Sequence, residues 1–103
     1  MIYSQYEVVL VNLNPTVGME IQKTRPCLII SPNEMNYTNL IVAPMTSTNK
    51  DYPTRIKLHD DSYVVLDQIR TISIKRVVKK LDIKLSNKNI KDIKNIIKIM
   101  LVD

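Results

Sequence analysis

Residues 6–13 read Tyr6-Glu7-Val8-Val9-Leu10-Val11-Asn12-Leu13, a short β-branched run followed by the turn formers Asn14 and Pro15. Such a run predicts a buried strand that stops in a turn. The run Cys27-Leu28-Ile29-Ile30-Ser31 predicts a second buried strand in the same way. Between the two runs, residues 14–24 contain the single glycine of the chain and show little periodicity, which indicates a long loop of the kind that often carries function.

Several further short strands are predicted beyond this pair. Residues 31–34 suggest a turn or a short helical start, and residues 39–45 resume the strand pattern. Because Pro44 cannot donate to a strand ladder, we expect its backbone to lie at an edge or a bulge, with residues 45–48 turned away from regular pairing. Residues 55–58 alternate as a half-buried strand does, and a last strand runs from Tyr63 to Leu66 and continues to Ser73.

One helix is predicted at the end of the chain. Ser86 is its expected cap, and apolar residues recur at helical spacing with lysines between them: Ile90, Ile93, Ile96, Ile97 and Met100. A series of short strands closed by a terminal helix favours a small, strongly bent antiparallel sheet or barrel with the helix over one end. The length of 103 residues and the hydrophobic content of 45% favour a single domain over residues 1–103.

The composition of the chain limits the cellular compartment and the classes of partner that we expect. Cys27 is the only cysteine, so no internal disulfide can form, and no apolar run approaches the roughly 20 residues of a membrane span. We therefore expect a soluble cytoplasmic protein. The net charge is +5, and residues 75–98 hold nine basic residues against Asp82 and Asp92. This basic third fits a nucleic acid or an acidic protein partner, although a solvated helix face explains the lysines equally well.

Several chemistries are excluded by residue content. A single glycine rules out glycine-rich phosphate loops, and one cysteine with one histidine rules out zinc motifs. The cluster His59-Asp60-Asp61 is better explained as a polar turn than as a metal site, because adjacent side chains diverge. Catalysis by serine, histidine and carboxylate lacks a nucleophile elbow. We therefore predict no metal and no cofactor.

Two residues remain as candidates for phosphate chemistry. Arg25 precedes Pro26, which favours an extended backbone at Arg25, and the apolar strand behind it can anchor a guanidinium suited to a phosphodiester. Thr46 follows the irregularity at Pro44 and can offer a hydroxyl to the same phosphate. Residue chemistry alone leaves open that Arg25 is an ordinary exposed arginine and that Thr46 merely bonds its own backbone.

Four blocks of the sequence, in order and spacing, resemble the MazF/PemK family of toxin–antitoxin ribonucleases, and the resemblance covers essentially the whole chain. They are Leu13-Asn14-Pro15-Thr16-Val17-Gly18-Met19-Glu20; Lys23-Thr24-Arg25-Pro26 with residues 27–31; Ile41-Val42-Ala43-Pro44-Met45-Thr46-Ser47 with Tyr52-Pro53-Thr54; and Leu66-Asp67-Gln68-Ile69-Arg70-Thr71. The resemblance implies an SH3-like barrel with a C-terminal helix and a homodimer. It also implies a toxin that cuts single-stranded RNA at short sequences, without metal, through attack of the ribose 2′-hydroxyl.

The resemblance also assigns roles to residues. The family's catalytic arginine and threonine fall on Arg25 and Thr46, and a carboxylate used by some PemK relatives falls on Asp67. We assign RNA contact to polar residues of the same blocks, namely Thr16, Lys23, Thr24, Ser47, Gln68 and Arg70. Asp67, Gln68 and Arg70 are equally compatible with a structural polar network. The expected protein partner is an antitoxin with an acidic, partly disordered segment, together with which the toxin binds DNA.

The chain departs from the family pattern at two places. Where many members carry Gln-Gly-Gly, this chain has Ile21-Gln22-Lys23, so we expect a less pliable loop and a contact from Lys23 to the RNA backbone. Val65 stands where some PemK relatives have an arginine, so a mechanism that needs that second arginine does not transfer. The rival interpretations are a non-catalytic SH3-like module, including a toxin that blocks a protein such as gyrase, and an RNA-binding regulator.

Overall fold

The computed structural model describes residues 2–14, 23–48, 52–58 and 61–102. Within these ranges seven strands precede one α-helix. The strands are β1 (Val8–Asn12), β2 (Thr24–Ile29), β3 (Asn39–Thr46), β4 (Arg55–Lys57), β5 (Tyr63–Val65), β6 (Arg70–Ser73) and β7 (Val77–Leu81), and the helix is α1 (Asn87–Leu101). Short 3₁₀ turns lie at Asn33–Met35, Leu66–Gln68 and Ile74–Arg76.

All strand pairings are antiparallel, and β3 lies at the centre of the sheet. The strand order is β4-β5-β3-β2-β1-β7, and β6 also pairs with β3. On one side β3 pairs with β2, while on the other it pairs first with β6 along residues 39–42 and then with β5 at residues 45 and 46. A strand with three partners bends the sheet around itself. The predicted class, a mainly β, barrel-like sheet with a C-terminal helix, is confirmed.

The alternation of side chains along the strands divides the core between the two faces of the sheet. On β1, Val9 and Val11 belong to one buried cluster, and Val8 belongs to the other. Helix α1 covers the second cluster, where Ile93 is fully buried and Ile96, Ile97 and Met100 pack around it. The predicted apolar stripe of the helix is therefore confirmed.

Helix α1 begins at the predicted cap. The Ser86 hydroxyl accepts a hydrogen bond from the Asn89 amide at 3.1 Å, which satisfies one free N–H of the first turn. The helix has 15 residues and carries lysines along its length. No helix among the described residues is long and apolar enough to cross a membrane.

Pro44 departs from the prediction, because it does not lie at an edge. It is buried in the central strand β3, opposite Cys27. The Ile30 amide donates to the Ile41 carbonyl at 2.8 Å, and hydrogen-bonded pairs alternate along an antiparallel ladder. The nitrogen of Pro44 therefore faces away from β2, toward the gap where β3 changes partners from β6 to β5. Pro44 lacks an N–H donor, but no hydrogen bond between β3 and β2 is lost as a result.

Two other predictions about strands need correction. The strand expected from Tyr63 to Ser73 is interrupted by the 3₁₀ turn Leu66–Gln68, which separates β5 from β6. Strand β7 was not predicted, because its sequence Val77-Val78-Lys79-Lys80-Leu81 lies in a basic run and shows no apolar alternation. Lysines are common on edge strands, where their charge opposes further pairing, and β7 pairs only with β1 among the described strands.

Candidate functional site

A second proline ends the pairing between β2 and β3. The Ile29 amide donates to the Glu7 carbonyl at 2.9 Å, so the same alternation along β1 turns the nitrogen of Pro26 toward β3, at the position of Met45. Pro26 has no hydrogen to donate there, and the observed register between the strands stops at the pair Cys27 and Pro44. Beyond that pair the two strands are free to separate, and a cleft lies between them.

The cleft brings together the two residues predicted to be catalytic. Continuing the β2–β3 register by two residues places Arg25 opposite Thr46, although they are 21 positions apart in sequence. Both side chains line a cleft of about 240 Å³. The other residues of its wall are Pro26, Met45, Ser47, Ser62 and Ile83. Ser47, predicted to contact RNA, is therefore part of the same site.

The polar groups of the cleft suit an anion. Arg25 is exposed and permanently charged, and its planar guanidinium matches the geometry of phosphate oxygens. The Thr46 hydroxyl is half-buried and accepts a hydrogen bond from the Thr48 amide at 3.2 Å. Because that bond uses the oxygen as acceptor, the hydroxyl hydrogen remains to be donated. A cation and a hydroxyl donor in one cleft can hold a phosphodiester and stabilise added negative charge on it.

The base of the β1–β2 connection is held by two arginines. The Arg70 guanidinium donates to the Leu13 carbonyl at 3.2 Å. Arg76 donates to the Asn12 carbonyl at 3.3 Å and also to the Asn14 carbonyl. These bonds satisfy three consecutive carbonyls where β1 ends, next to the start of β2. Arg70 thus supports the backbone near the cleft and is not among the residues that line it.

Arg76 is a supporting residue that the sequence did not reveal. It lies in the 3₁₀ turn Ile74–Arg76, and its carbonyl partners are 62 and 64 positions away. In sequence it is one of nine cations in the basic third and carries no distinguishing motif. Only the fold places it against the end of β1.

Lys23 adopts a backbone conformation that favours glycine. Its φ angle is 67°, in the left-handed region, and its side chain is exposed. The amide of Lys23 donates to the Asn14 side chain at 2.9 Å, and its carbonyl accepts from the Leu13 amide at 3.0 Å. These two bonds hold the strained residue two positions before Arg25. The lysine therefore occupies a site where a glycine of the related pattern would be unstrained.

The remaining predicted site residues lie elsewhere or outside the described ranges. Asp67 and Gln68 belong to the 3₁₀ turn after β5; Asp67 is exposed, and neither residue lines the cleft. Thr24 is exposed at the first position of β2. Thr16 and the departure at Ile21 and Gln22 lie outside the described residues, as do His59 and Asp60 of the predicted polar turn. Among the described residues, no three His, Cys, Asp or Glu side chains form a group able to hold a metal.

Cys27, two positions after Arg25, is a core residue. Its side chain is fully buried, and burial raises the pKa of the thiol to about 12, while the nearby positive charge of Arg70 acts in the opposite direction. The thiolate is the nucleophilic form of cysteine, so the protonated thiol is inert at neutral pH. Cys27 therefore anchors β2 behind the cleft and offers no chemistry to it.

Comparison with known proteins gives a consistent assignment. The family described as PemK-like, MazF-like toxin of type II toxin–antitoxin system matches residues 4–101. The endoribonuclease MazF of Staphylococcus saprophyticus is 35% identical and is aligned over 92% of this chain and 88% of its own length. Among solved structures, MazF of Deinococcus radiodurans superposes with a TM-score of 0.85 at 24% identity, covering 100% of this chain and 99% of its own. An endoribonuclease from mycobacterial species, solved in complex with its cognate antitoxin, superposes with a TM-score of 0.79 at 18% identity, covering 97% and 95%.

Proposed function

This chain belongs to the PemK-like, MazF-like family of toxins of type II toxin–antitoxin systems, and we propose that its cleft is the active site of an endoribonuclease. The observation that supports this site most directly is the joint presence of Arg25 and Thr46 in one cleft at the open end of β2 and β3. In this proposal both residues act on a single phosphodiester of single-stranded RNA, cut at a short recognition sequence.

The reaction is an internal transfer of the phosphoryl group. The 2′-oxygen of the ribose forms a bond to the adjacent phosphorus, and the bond from phosphorus to the 5′-oxygen breaks. The attacking hydroxyl loses its proton to water and the leaving oxygen gains one, so the products are a 2′,3′-cyclic phosphate and a 5′-hydroxyl. In this proposal the step needs no metal or cofactor.

Arg25 and Thr46 have distinct roles in this step. Arg25 stabilises the extra negative charge that develops on the phosphorane, and the Thr46 hydroxyl donates to a non-bridging oxygen. Arginine is a poor general base, because its guanidinium group keeps its proton in proteins. Asp67 lies on the turn after β5 and not in the cleft wall, so we assign it no step. We propose that Lys23 and Thr24, which are both exposed and directly precede Arg25 in the chain, contact RNA next to the reacting phosphate.

The partners of the chain follow from its family. We propose that the toxin is a single-domain cytoplasmic protein that forms a homodimer and is neutralised by a cognate antitoxin, as in the mycobacterial complex named above. An acidic, partly disordered antitoxin segment suits the cationic surface left by exposed residues of the basic third, among them Lys91, Lys94 and Lys98. Attraction of this kind weakens as salt is added.

Incubation of the purified protein with RNA of varied sequence in EDTA tests the proposed function. We expect cleavage at a short sequence, with cyclic phosphate at the upstream end and a 5′-hydroxyl at the downstream end. Intact RNA would contradict the nuclease assignment and favour a toxin directed at a protein. Cleavage that appears only after a divalent metal is restored would contradict the mechanism while leaving the nuclease assignment in place.

A further inference from the structure

The cleft that holds Arg25 and Thr46 is lined by more side chains than a phosphate group alone would contact. Besides its cation and hydroxyls, it is lined by three apolar side chains, Pro26, Met45 and Ile83, and by Ser62. A phosphate group has no apolar surface to bury, so these side chains do not serve it. Their presence indicates that the cleft accommodates a ligand with an anionic part and an apolar part.

Ile83 is part of the cleft wall and also packs against the core. It lies in the segment between β7 and α1, is half-buried, and packs against the core cluster that contains Ile93. A neighbouring cavity of about 340 Å³, lined in part by Tyr6 and Ile90, borders the same residue. Ile83 is therefore a partition between two cavities, with one side directed to the cleft of Arg25 and Thr46.

Ser62 adds a polar group to the apolar wall. It precedes β5, and its backbone carbonyl accepts a hydrogen bond from the Leu58 amide at 2.8 Å, which fixes its position. Its hydroxyl can both donate and accept a hydrogen bond. The cleft thus combines the apolar side chains of Pro26, Met45 and Ile83 with the polar side chain of Ser62.

We propose that Ile83 and Ser62, with Pro26 and Met45, form a subsite for the nucleobase next to the scissile phosphate and so determine which base is accepted there. This inference rests on the proposed ribonuclease function. A nucleobase has apolar faces, which pack on Ile83, and polar edges, which Ser62 can bond. The cleft volume of about 240 Å³ lies below the roughly 300–1,000 Å³ of sites for drug-sized ligands, which fits one nucleotide rather than several.

The subsite selects bases by size more strongly than by hydrogen bonding. The apolar wall formed by Pro26, Met45 and Ile83 has a fixed depth, so its size limits which base can enter. A difference of one methylene in an apolar pocket changes selectivity by about 10–200-fold. Shortening Ile83 should therefore admit larger bases at one position of the recognition sequence and leave the other positions unchanged.

Mapping of 5′-hydroxyl ends on an RNA library with randomised positions tests the proposal. Ile83→Ala, Ile83→Val and Ser62→Ala are compared with the wild type, and Ile99→Ala on the exposed face of α1 is the matched control. We expect Ile83→Ala to change the base preference at one position by at least about tenfold, Ile83→Val less, and Ile99→Ala not at all. Ser62→Ala should shift the preference at that same position.

The possible failures are distinguishable. Wild-type protein that leaves the library intact would contradict the proposed function. Wild-type cleavage with the same base preference in all three cleft variants would overturn the subsite and leave the nuclease assignment standing. Thermal unfolding of each variant is measured in parallel. If Ile83→Ala does not fold, Ile83→Val and Ser62→Ala decide the question, since each makes a smaller change.

Discussion

The two ends of the strand pair β2 and β3 are built in opposite ways. Just beyond Ile29 and before Asn39, Ser31 and Asn36 are 2% and 7% exposed and bonded to each other. The Asn36 amide also donates to the Tyr3 carbonyl at 3.1 Å and to the Ser31 carbonyl at 3.2 Å, and the Ser31 hydroxyl accepts from the Ile41 amide at 3.1 Å. At the other end Arg25 and Ser47 are exposed and the strands part at two prolines.

Because the two ends differ in this way, we expect one end of β2 and β3 to determine stability and the other to determine function. A buried network of satisfied hydrogen bonds holds its side chains in one arrangement. Removing one member leaves its partners with fewer hydrogen bonds than they need. The open end instead carries a cation and hydroxyls on the wall of a cleft that a ligand can enter. The closed end should therefore control unfolding with little effect on chemistry, and the open end should control chemistry with little effect on unfolding.

The largest effect is expected at the open end. Thr46→Val keeps the shape of the side chain and removes the donor, so we expect the single-turnover rate of RNA cleavage to fall by about 10²-fold, as when one donor to a developing oxyanion is lost. Thr38→Val, at an exposed threonine just before β3, is the control and should leave the rate unchanged. A Thr46→Val rate within a few-fold of wild type would remove Thr46 from the mechanism.

The closed end should respond in the opposite sense. Asn36→Ala removes the acceptor of the Ser31 hydroxyl hydrogen and the donor to the Tyr3 and Ser31 carbonyls, so we expect the free energy of unfolding to fall by about 1–3 kcal/mol. Urea unfolding measures this change, and RNA cleavage below the transition should keep its wild-type rate. A large loss of cleavage in the folded variant would show that the two ends are not independent.

Lys23 lies at the edge of the open end. Substitutions there should show separately how its backbone strain affects stability and how its charge affects RNA binding. Lys23→Gly relieves a left-handed backbone and should stabilise the protein by about 1 kcal/mol. It also removes one phosphate contact, so the slope of log affinity against log salt for single-stranded RNA should decrease in magnitude by about 0.7. Lys23→Ala, which removes the charge but keeps the strain, should change only the salt slope. An unchanged slope in both variants would exclude Lys23 from RNA binding.

The smallest effect at neutral pH concerns Cys27, behind the cleft. Burial raises the pKa of this thiol to about 12, against an ordinary value of 9.0, so the unfolded chain ionises first as pH rises. The group leaves stability unchanged below pH 9 and lowers the free energy of unfolding as pH increases from 9 toward 12. Cys27→Ala should flatten that decline. Rapid alkylation of Cys27 in the folded protein at pH 8 would contradict the assignment of a buried, protonated thiol.

The elements of the fold were largely predictable, and the exceptions have physical causes. Short β-branched runs and the isoleucine stripe of α1 encode strands and helix locally, whereas β7 has no apolar alternation and forms by pairing with β1. The 3₁₀ turn at Leu66–Gln68 interrupts what reads as one strand. Pro44 was expected at an edge or a bulge because its tolerance in a central strand depends on where β3 changes partners, which is a property of the whole sheet.

The site was predictable only in part, because its geometry depends on register. Arg25 and Thr46 each resemble an ordinary strand residue, and the pairing of Cys27 with Pro44 is what brings them opposite each other. Arg70 was assigned to RNA contact, but its guanidinium donates to Leu13, which lies 57 positions away. Ile83 belongs to no recognisable motif, and it reaches the cleft because β7 pairs with β1 and returns the chain toward α1.

A double-mutant cycle on Arg25→Gln and Thr46→Val tests the central claim most directly. Single-turnover cleavage of one RNA in EDTA is measured for the wild type, both single variants and the double variant, with urea unfolding in parallel. If both residues stabilise one phosphorane, Arg25→Gln alone lowers the rate by about 10²–10³-fold, and the double variant loses less than the product of the single losses. An Arg25→Gln rate within tenfold of wild type, with unfolding unchanged, would contradict the account.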